Sequence, residues 1–493
     1  MSEMTDTAAH PIARLLADHG PVPFDAAALR ELAASLAPAT VVGLGESTRF
    51  SHEIAAIQDQ LFRELVSEHG FRVLALQDSA DVAARLDAYV RAAEHAPATA
   101  EEALATAWRP NRTAQTAAVL DWIRDFNRRN ETDRIRVIAV KPFQATTADY
   151  DAVLDAMRAA THDPAAFEAS PADLGTRVTE VTGRDLVPGP ATGPSEPESR
   201  DTPAGSGAAT GLRAPAGSGV PTGLGDPPEG AEAAGPAATE GQDTSSGWPA
   251  IAASSAADRM TRIAALFEVI RTAHVTDEHV QRARGMYSGA PFAELARGAA
   301  ALLDGLPISG DIRERMALIV RYHETSVAGR GSFAGEAEVW AGAIIEDHAR
   351  HGQRIVYWDG IAHVSAAPFT LGMSGDQVAQ PTIGSVLRER FGAGYASVAI
   401  GFDHGDLGVV VVPPAAGDFL DHELSLADAL VHWVDLRPEP VRAALRVPAK
   451  MRVIAGVYDP ARDESAYMTV DSLSDSFDAL VHVRSVSAVD WLA

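Results

Sequence analysis

The stretch Val41-Val42-Gly43-Leu44-Gly45-Glu46-Ser47-Thr48-Arg49-Phe50 joins an apolar run to a short polar loop. The run over residues 40–44 has the length and composition of a buried strand, and Ser51 is a suitable N-cap for a following helix. Apolar residues then recur at helical spacing over residues 53–68, and a second apolar run follows at residues 71–76. This order of strand, loop, helix and strand predicts the beginning of an α/β fold.

The same alternation continues along the chain. Helices are predicted at residues 80–93, 113–129, 148–160, 256–272, 292–303, 311–323, 336–351 and 382–391. Strands are predicted at residues 135–140, 354–358, 397–402, 407–412, 452–457 and 479–483. This pattern predicts a mainly parallel sheet flanked by helices. The helices between residues 256 and 323, joined by short Gly/Pro turns, predict a helical subdomain.

One segment departs from this pattern. Residues 188–247 consist mainly of Gly, Pro, Ala, Ser, Thr and Glu and include a tandem near-repeat. Such a composition buries too little apolar area to offset the entropy of ordering the chain. We therefore predict a disordered insertion, with residues 1–187 and 248–493 forming the two parts of one domain.

Composition excludes several functional classes. The 493 residues carry a formal net charge of −26, which disfavours binding to nucleic acid or to anionic membranes. The absence of cysteine excludes disulfides, thiolate metal sites and a cysteine nucleophile. His348 and His351 share a helix face at a spacing that suits a metal, but a third ligand is not evident, so we expect no metal and no cofactor. Neither a signal peptide nor a membrane-spanning run is found, so we expect a cytoplasmic protein.

Several segments, taken in order, resemble the erythromycin esterase family. The first is the loop at residues 43–50, which the family usually writes as Gly-Glu-x-x-His-Gly. The others lie at residues 68–76, 120–127, 354–358, 362–364, 384–391, 395–402, 431–437, 457–460 and 477–483. The resemblance implies an α/β fold with the helical subdomain closing over a cleft. It also implies metal-independent hydrolysis of a macrolide lactone ester, with a histidine as general base.

The resemblance carries over to individual positions. Two family positions are retained, namely the motif glutamate as Glu46 and a histidine as His363. The other cleft positions are substituted: Arg49 replaces the catalytic histidine, Gln77 a glutamate, Gly360 another histidine, Gln58 a basic residue, and Lys141 falls near an acidic position.

These substitutions remove groups that move protons. Arg49 stays protonated at any ordinary pH, Gln77 does not titrate, and Gly360 has no side chain. We therefore predict that the family's ester hydrolysis is lost. Arg49 offers a planar fork that suits a carboxylate or phosphate, so the first hypothesis is a protein that binds a small molecule or a partner in a remodelled cleft.

Some compensation is conceivable. His52 and Asp78 are candidate replacements, although His52 also fits a surface position at a helix start. Only one of Gln77 and Asp78 can face the cleft directly if both lie on a strand. Asp359 is a candidate acceptor for Arg49, which would form a structural ion pair.

Two further functional hypotheses remain open. One is an active hydrolase or lyase of secondary metabolism that uses Glu46 and His363 on an ester, a lactone or a related substrate. His363 has a structural alternative as a core histidine. The other is an interaction protein that works through its acidic insertion. The sequence gives no oligomeric state.

Overall fold

The computed structural model describes residues 22–141, 145–160, 260, 263–264, 266–267, 290–303, 308–325, 334–372, 379–455 and 458–492. The predicted insertion at residues 188–247 lies outside the described residues, as does most of the helix predicted at residues 256–272.

The strands form one large sheet and one small sheet. Within the described residues the strands are β1 Val22–Pro23, β2 Val41–Glu46, β3 Phe71–Ser79, β4 Arg136–Lys141, β5 Arg354–Gly360, β6 Thr370–Leu371, β7 Tyr395–Asp406, β8 Val411–Val412, β9 Val431–Asp435, β10 Ala449–Arg452, β11 Tyr467–Val470 and β12 Ala479–Ser487. The large sheet has the order β1-β9-β12-β7-β2-β5-β3-β4, with β8 on the edge of β7, and β10, β11 and β6 form the small sheet.

The large sheet is mainly parallel, as predicted. All neighbouring pairs from β12 to β4 are parallel, whereas β1, β8 and β9 are joined antiparallel. Strand β2 lies between β5 and β7, both of which follow residues 188–247 in the chain. Segments from both sides of residues 188–247 therefore share one sheet, and the carboxyl ends of β2, β3, β4 and β5 meet at one edge.

Helices cover both faces of this sheet. They are α1 Ala26–Leu36, α2 His52–His69, α3 Ala80–Val90, α4 Ala100–Leu104, α5 Ala114–Arg129, α6 Thr147–Ala160, α7 Phe292–Leu303, α8 Gly310–Thr325, α9 Ala334–His351, α10 Ile361–Val364, α11 Ile383–Phe391, α12 Leu420–Ser425, α13 Glu439–Ala444 and α14 Leu473–Ser476. One apolar core cluster includes residues of α2, α3 and α5, and the other includes residues of α9, α10 and α11. No helix in the described ranges is both long enough and apolar enough to cross a membrane.

The first strand and helix form for local reasons. Every residue of β2 is buried, as expected for a central strand that is covered on both faces. Ser51 caps α2 by accepting a hydrogen bond from the Ile54 amide, and Gly70 ends the helix with a left-handed φ of 68°. The apolar face of α2 buries Leu61, Phe62 and its neighbours against the sheet.

The two glycines of β2 allow a close approach that positions the site. A Cβ on Gly45 would lie 2.3 Å from Val364 Cγ2 and 2.9 Å from Ile361 Cα. A Cβ on Gly43 would lie 2.5 Å from the Tyr395 hydroxyl. Because only glycine leaves this space open, α10 packs directly on β2 and holds His363 beside the end of β5.

The structure corrects the predictions near the C-terminus. Only Val411–Val412 is a strand within the run predicted at residues 407–412. The strand predicted at residues 452–457 lies earlier, at Ala449–Arg452, and Ile454 forms only an isolated bridge. The segment Val431–Asp435, not predicted as a strand, pairs antiparallel with β12. The helical subdomain stays a prediction, although α7 and α8 are present.

Candidate functional site

Glu46 lies at the carboxyl end of β2 and is buried. Gln58, two turns into α2, donates from Nε2 to Glu46 Oε2 at 2.6 Å and to the Leu44 carbonyl at 3.1 Å. Burial raises the pKa of the Glu46 carboxyl to about 7, with the charge of Asp359 adding to the effect and that of Arg49 opposing it. Glu46 is therefore a carboxyl group that changes charge near neutral pH.

Arg49 is held by two carboxyl groups. Its Nη2 donates to Asp359 Oδ1 at 2.7 Å, and its Nε lies 3.5 Å from Glu46 Oε1. The Arg49 side chain is 20% exposed, whereas that of Asp359 is fully buried. The structure thus contains the ion pair that the sequence allowed, and the guanidinium fork is directed at the protein's own carboxylates.

Asp359 receives further hydrogen bonds. The Tyr357 hydroxyl donates to Oδ2, and the Gly360 amide donates to Oδ1 at 2.7 Å. Burial raises the pKa of the Asp359 carboxyl, but the charges of His363 and Arg49 together with these hydrogen bonds lower it below its ordinary value. His363 Nε2 lies 4.0 Å from Oδ1, which is too long for a hydrogen bond.

Gly360 leaves the space that Arg49 uses. A Cβ at position 360 would lie 3.3 Å from Arg49 Nη2 and 3.6 Å from His363 Cδ2. The structure therefore brings together the substituted positions 49 and 360 and the retained residues Glu46 and His363.

Aromatic and cationic side chains alternate in a series of contacts that begins at Arg49 and ends at His363. Trp108 stacks on Arg49 at 4.5 Å, and Lys141 Nζ lies 4.5 Å from the Trp108 ring centroid. The same ammonium lies 5.1 Å from the Trp340 ring, which stacks on His363 at 5.5 Å. Because Arg49 and His363 both lie near Asp359, these contacts form a closed ring. We name this group the Trp–cation ring, which consists of Arg49, Trp108, Lys141, Trp340, His363 and Asp359.

A cavity adjoins the ring on the side of α2 and α5. It is small and partly open to solvent. Its wall includes Glu46, Arg49, Gln58, Asn111, Thr113 and Trp358. Arg49 belongs both to this cavity and to the Trp–cation ring, so the two adjoin at Arg49, and we call them together the cleft. Its lining combines these polar side chains with apolar ones such as Leu76 and Val119.

The remaining predicted site residues make other contacts. His52 is exposed as the first residue of α2, and its Nδ1 lies 2.9 Å from Gln115 Nε2. Gln77 is buried, and its Oε1 has no hydrogen-bond partner within the described residues.

Asp78 accepts hydrogen bonds from the amides of Ser79 and Trp108 and from the Asn111 side chain. Burial raises the pKa of Asp78, although these hydrogen bonds oppose the shift. Asp78 thus holds the Trp108 loop in place.

Metal ligation finds no support in the parts of the chain that the structure describes. No group of three or more His, Asp or Glu side chains there is placed to hold a metal ion. His348 Nδ1 instead lies 2.8 Å from the Gln353 carbonyl oxygen.

A comparison with known families shows which family this chain resembles in sequence. The erythromycin esterase profile matches residues 66–176 and 341–486, just over half of the 493 residues. The chain belongs to the erythromycin esterase family. The matched segments include β3, β4, β5 and His363 but not the loop at residues 43–50, so membership does not depend on that loop. A comparison with curated protein sequences gives no match.

Two solved structures share the fold of this esterase family member, and a third has a TM-score too low to show it. A Bacillus cereus protein is 17% identical, with a TM-score of 0.53 over 98% of both chains. A succinoglycan biosynthesis protein is 15% identical, with a TM-score of 0.53 over 97% of both chains. An erythromycin esterase mutant in its open conformation is 14% identical, with a TM-score of 0.44 over 94% of this chain and 97% of that one. At these identities the likeness concerns the fold alone.

Sequence reasoning missed two residues of this erythromycin esterase family member. Trp108 lies in a loop and Trp340 on α9, and no periodic pattern joins them to the motif at residues 43–50. The sequence does contain one signal for this part of the cleft: of its 41 Lys and Arg residues, only Lys141 and Lys450 are lysines. A lone lysine at the end of a predicted buried strand marks an unusual position.

Proposed function

We propose that this family member has lost the histidine-based ester hydrolysis of the family and binds a small molecule in its cleft. The observation that carries the proposal is the position of Arg49, which stands where the family has its base and is paired with Asp359 at 2.7 Å. A guanidinium cannot accept a proton from water. Gly360, the second position at which the family has a histidine, cannot take over this role.

The retained residues support binding rather than the family's hydrolysis. His363 Nε2 lies beyond hydrogen-bond distance from Asp359 Oδ1, and its ring stacks on Trp340. Gln58 and Arg49 both contact Glu46. Glu46, Arg49 and Gln58 line a cavity that is partly open to solvent.

A hydrolysis assay tests this proposal. The purified chain and an active erythromycin esterase are incubated with the same macrolides and aryl esters, and product is measured by mass spectrometry. We expect product only with the active esterase. Turnover by this chain that disappears in both Glu46→Gln and His363→Ala would overturn the proposal.

A second candidate is a hydrolase or lyase in which Glu46 is the general base. It is favoured by the position of Glu46 in the cavity wall together with a pKa of about 7. The Glu46 carboxylate would take a proton from water as its oxygen attacks an ester carbonyl, and the neutral acid would return that proton to the departing alkoxide. The rate should then rise through about pH 7 and lose this dependence in Glu46→Gln. A flat profile would exclude this mechanism.

A further inference from the structure

The cleft contains a cation, Lys141, for which the described residues supply no carboxylate partner. The fork of Arg49, which the sequence suggested for an external anion, is already engaged by Asp359 and Glu46. Lys141 differs, because no ion pair of its ammonium group is found within the described residues. Its charge therefore remains available in the same ring.

An acidic group near Lys141, Asp78, is occupied by other donors. Asp78 lies close enough for the charge of Lys141 to act on it, since Lys141 pairs in register with Ser79 on the neighbouring strand. However, the Asp78 oxygens already accept from Trp108 N at 2.9 Å, Asn111 Nδ2 at 2.9 Å and Ser79 N at 2.8 Å. The carboxylate thus fixes the loop that carries Trp108 and forms no ion pair with Lys141.

Two indole rings fix the position of the ammonium. Lys141 Nζ lies 4.5 Å from the Trp108 centroid and 5.1 Å from the Trp340 centroid. The quadrupole of an indole face attracts a cation but supplies no hydrogen-bond acceptor for its N–H groups. The ammonium is thereby oriented while its donors remain available. A lysine suits this place because its compact charge can be approached from several directions, unlike a stacked guanidinium.

We propose that Lys141 is the anion-binding group of the cleft and that the small molecule bound there carries a carboxylate or a phosphate monoester. The anionic group contacts Lys141, and the organic part extends into the cavity beside Arg49. This inference rests on the binding role proposed above and specifies the chemical class of the ligand.

Lys450 is an internal control for Lys141. Lys450, the other lysine, also lies against two aromatic rings, 4.1 Å from Phe419 and 4.3 Å from Tyr467. Its charge is paired, because Nζ lies 2.7 Å from Asp418 Oδ2. The two lysines therefore share an aromatic setting and differ in the presence of a carboxylate partner.

The test is amine labelling of the intact, full-length chain. The protein is acetylated with a limiting amount of reagent in the presence of benzoate, phenyl phosphate, inorganic phosphate or neutral benzamide. Modification of both lysines is measured by peptide mass spectrometry. We expect benzoate or phenyl phosphate to slow the labelling of Lys141 and not that of Lys450, with no effect of benzamide. Inorganic phosphate shows whether charge alone is sufficient.

A binding measurement completes the test. Titration calorimetry with the protecting anion should show a roughly ten- to hundredfold loss of affinity in Lys141→Met and no change in Lys450→Met. Unchanged labelling of Lys141 with every anion, equal protection of Lys450, or protection by benzamide would overturn the proposal. This test and the hydrolysis assay can fail separately. If the chain hydrolysed an ester while an anion still protected Lys141, only the proposed loss of hydrolysis would be refuted.

Discussion

Arg49→Ala is the sharpest test of how the cleft is held together. Arg49 is the cation paired with a fully buried carboxylate at 2.7 Å. Removing one partner of a buried pair typically costs about 3–5 kcal/mol, because the other charge is left uncompensated. Asp359 keeps its hydrogen bonds from Tyr357 and the Gly360 amide, and the Arg49 side chain is 20% exposed. We therefore expect a loss near the lower end, about 3 kcal/mol.

The assay is urea denaturation followed by circular dichroism at about pH 8, where Asp359 is ionised. A double-mutant cycle with Asp359→Asn isolates the pair, and we expect a coupling of about 2 kcal/mol. The control is Arg128→Ala, because Arg128 and Asp125 form an exposed pair at 3.1 Å with side chains 67% and 59% exposed. Surface pairs of this kind contribute at most about 1 kcal/mol.

The outcome can contradict the reasoning in two ways. Arg49→Ala could change stability no more than Arg128→Ala, which would mean that the pair is solvated and contributes little. Alternatively, the effects of Arg49→Ala and Asp359→Asn could add without coupling. Either result would leave Arg49 free to bind a ligand directly, and the assignment of that role to Lys141 would lose its basis.

Four other perturbations have defined outcomes. The pKa of Glu46 is raised from 4.5 to about 7, so the wild type should lose up to about 3 kcal/mol of unfolding free energy as the pH rises between these values. Glu46→Gln should remove this pH dependence, as measured by urea denaturation. His432→Leu should reduce acid destabilisation in the same assay, because burial lowers the His432 pKa from 6.5 to about 4, and stability is lost as the pH falls through that interval. Gly360→His should lower the melting temperature, because a Cβ at this position lies 3.3 Å from Arg49 Nη2 and the imidazole would displace the guanidinium; an unchanged value would contradict this. Deleting residues 188–247 should shift the melting temperature by less than about 2 °C, and a large drop would argue against an insertion.

Sequence reasoning was most successful where burial is uniform. Strand β2 is buried at every position, and α2 places its apolar residues at helical spacing, so both were predictable within a few residues. Strand β9 was missed because His432 and Asp435 interrupt its short apolar run. Such a strand is defined by pairing with β12, a long-range contact that local patterns do not encode.

The site was predictable only in part. Glu46 and Arg49 belong to one sequence motif after a predicted strand, and Asp359 follows another predicted strand. The ion pair between Arg49 and Asp359 could therefore be anticipated from the fold. The Trp–cation ring could not, because its aromatic members come from a loop and a helix more than 200 residues apart. Their proximity depends on the sheet order, in which β5 inserts between β2 and β3.

The substitutions at positions 49 and 360 depend on each other through Asp359. A buried carboxylate at this position requires a cation, and Arg49 supplies one that is charged at every ordinary pH. Arg49→His would satisfy Asp359 fully only if the imidazole were protonated, and a protonated imidazole is not a base. Gly360 in turn provides the room in which the guanidinium lies. The buried Asp359 therefore favours a permanent cation over a titrating base, so a single substitution at position 49 should not restore hydrolysis.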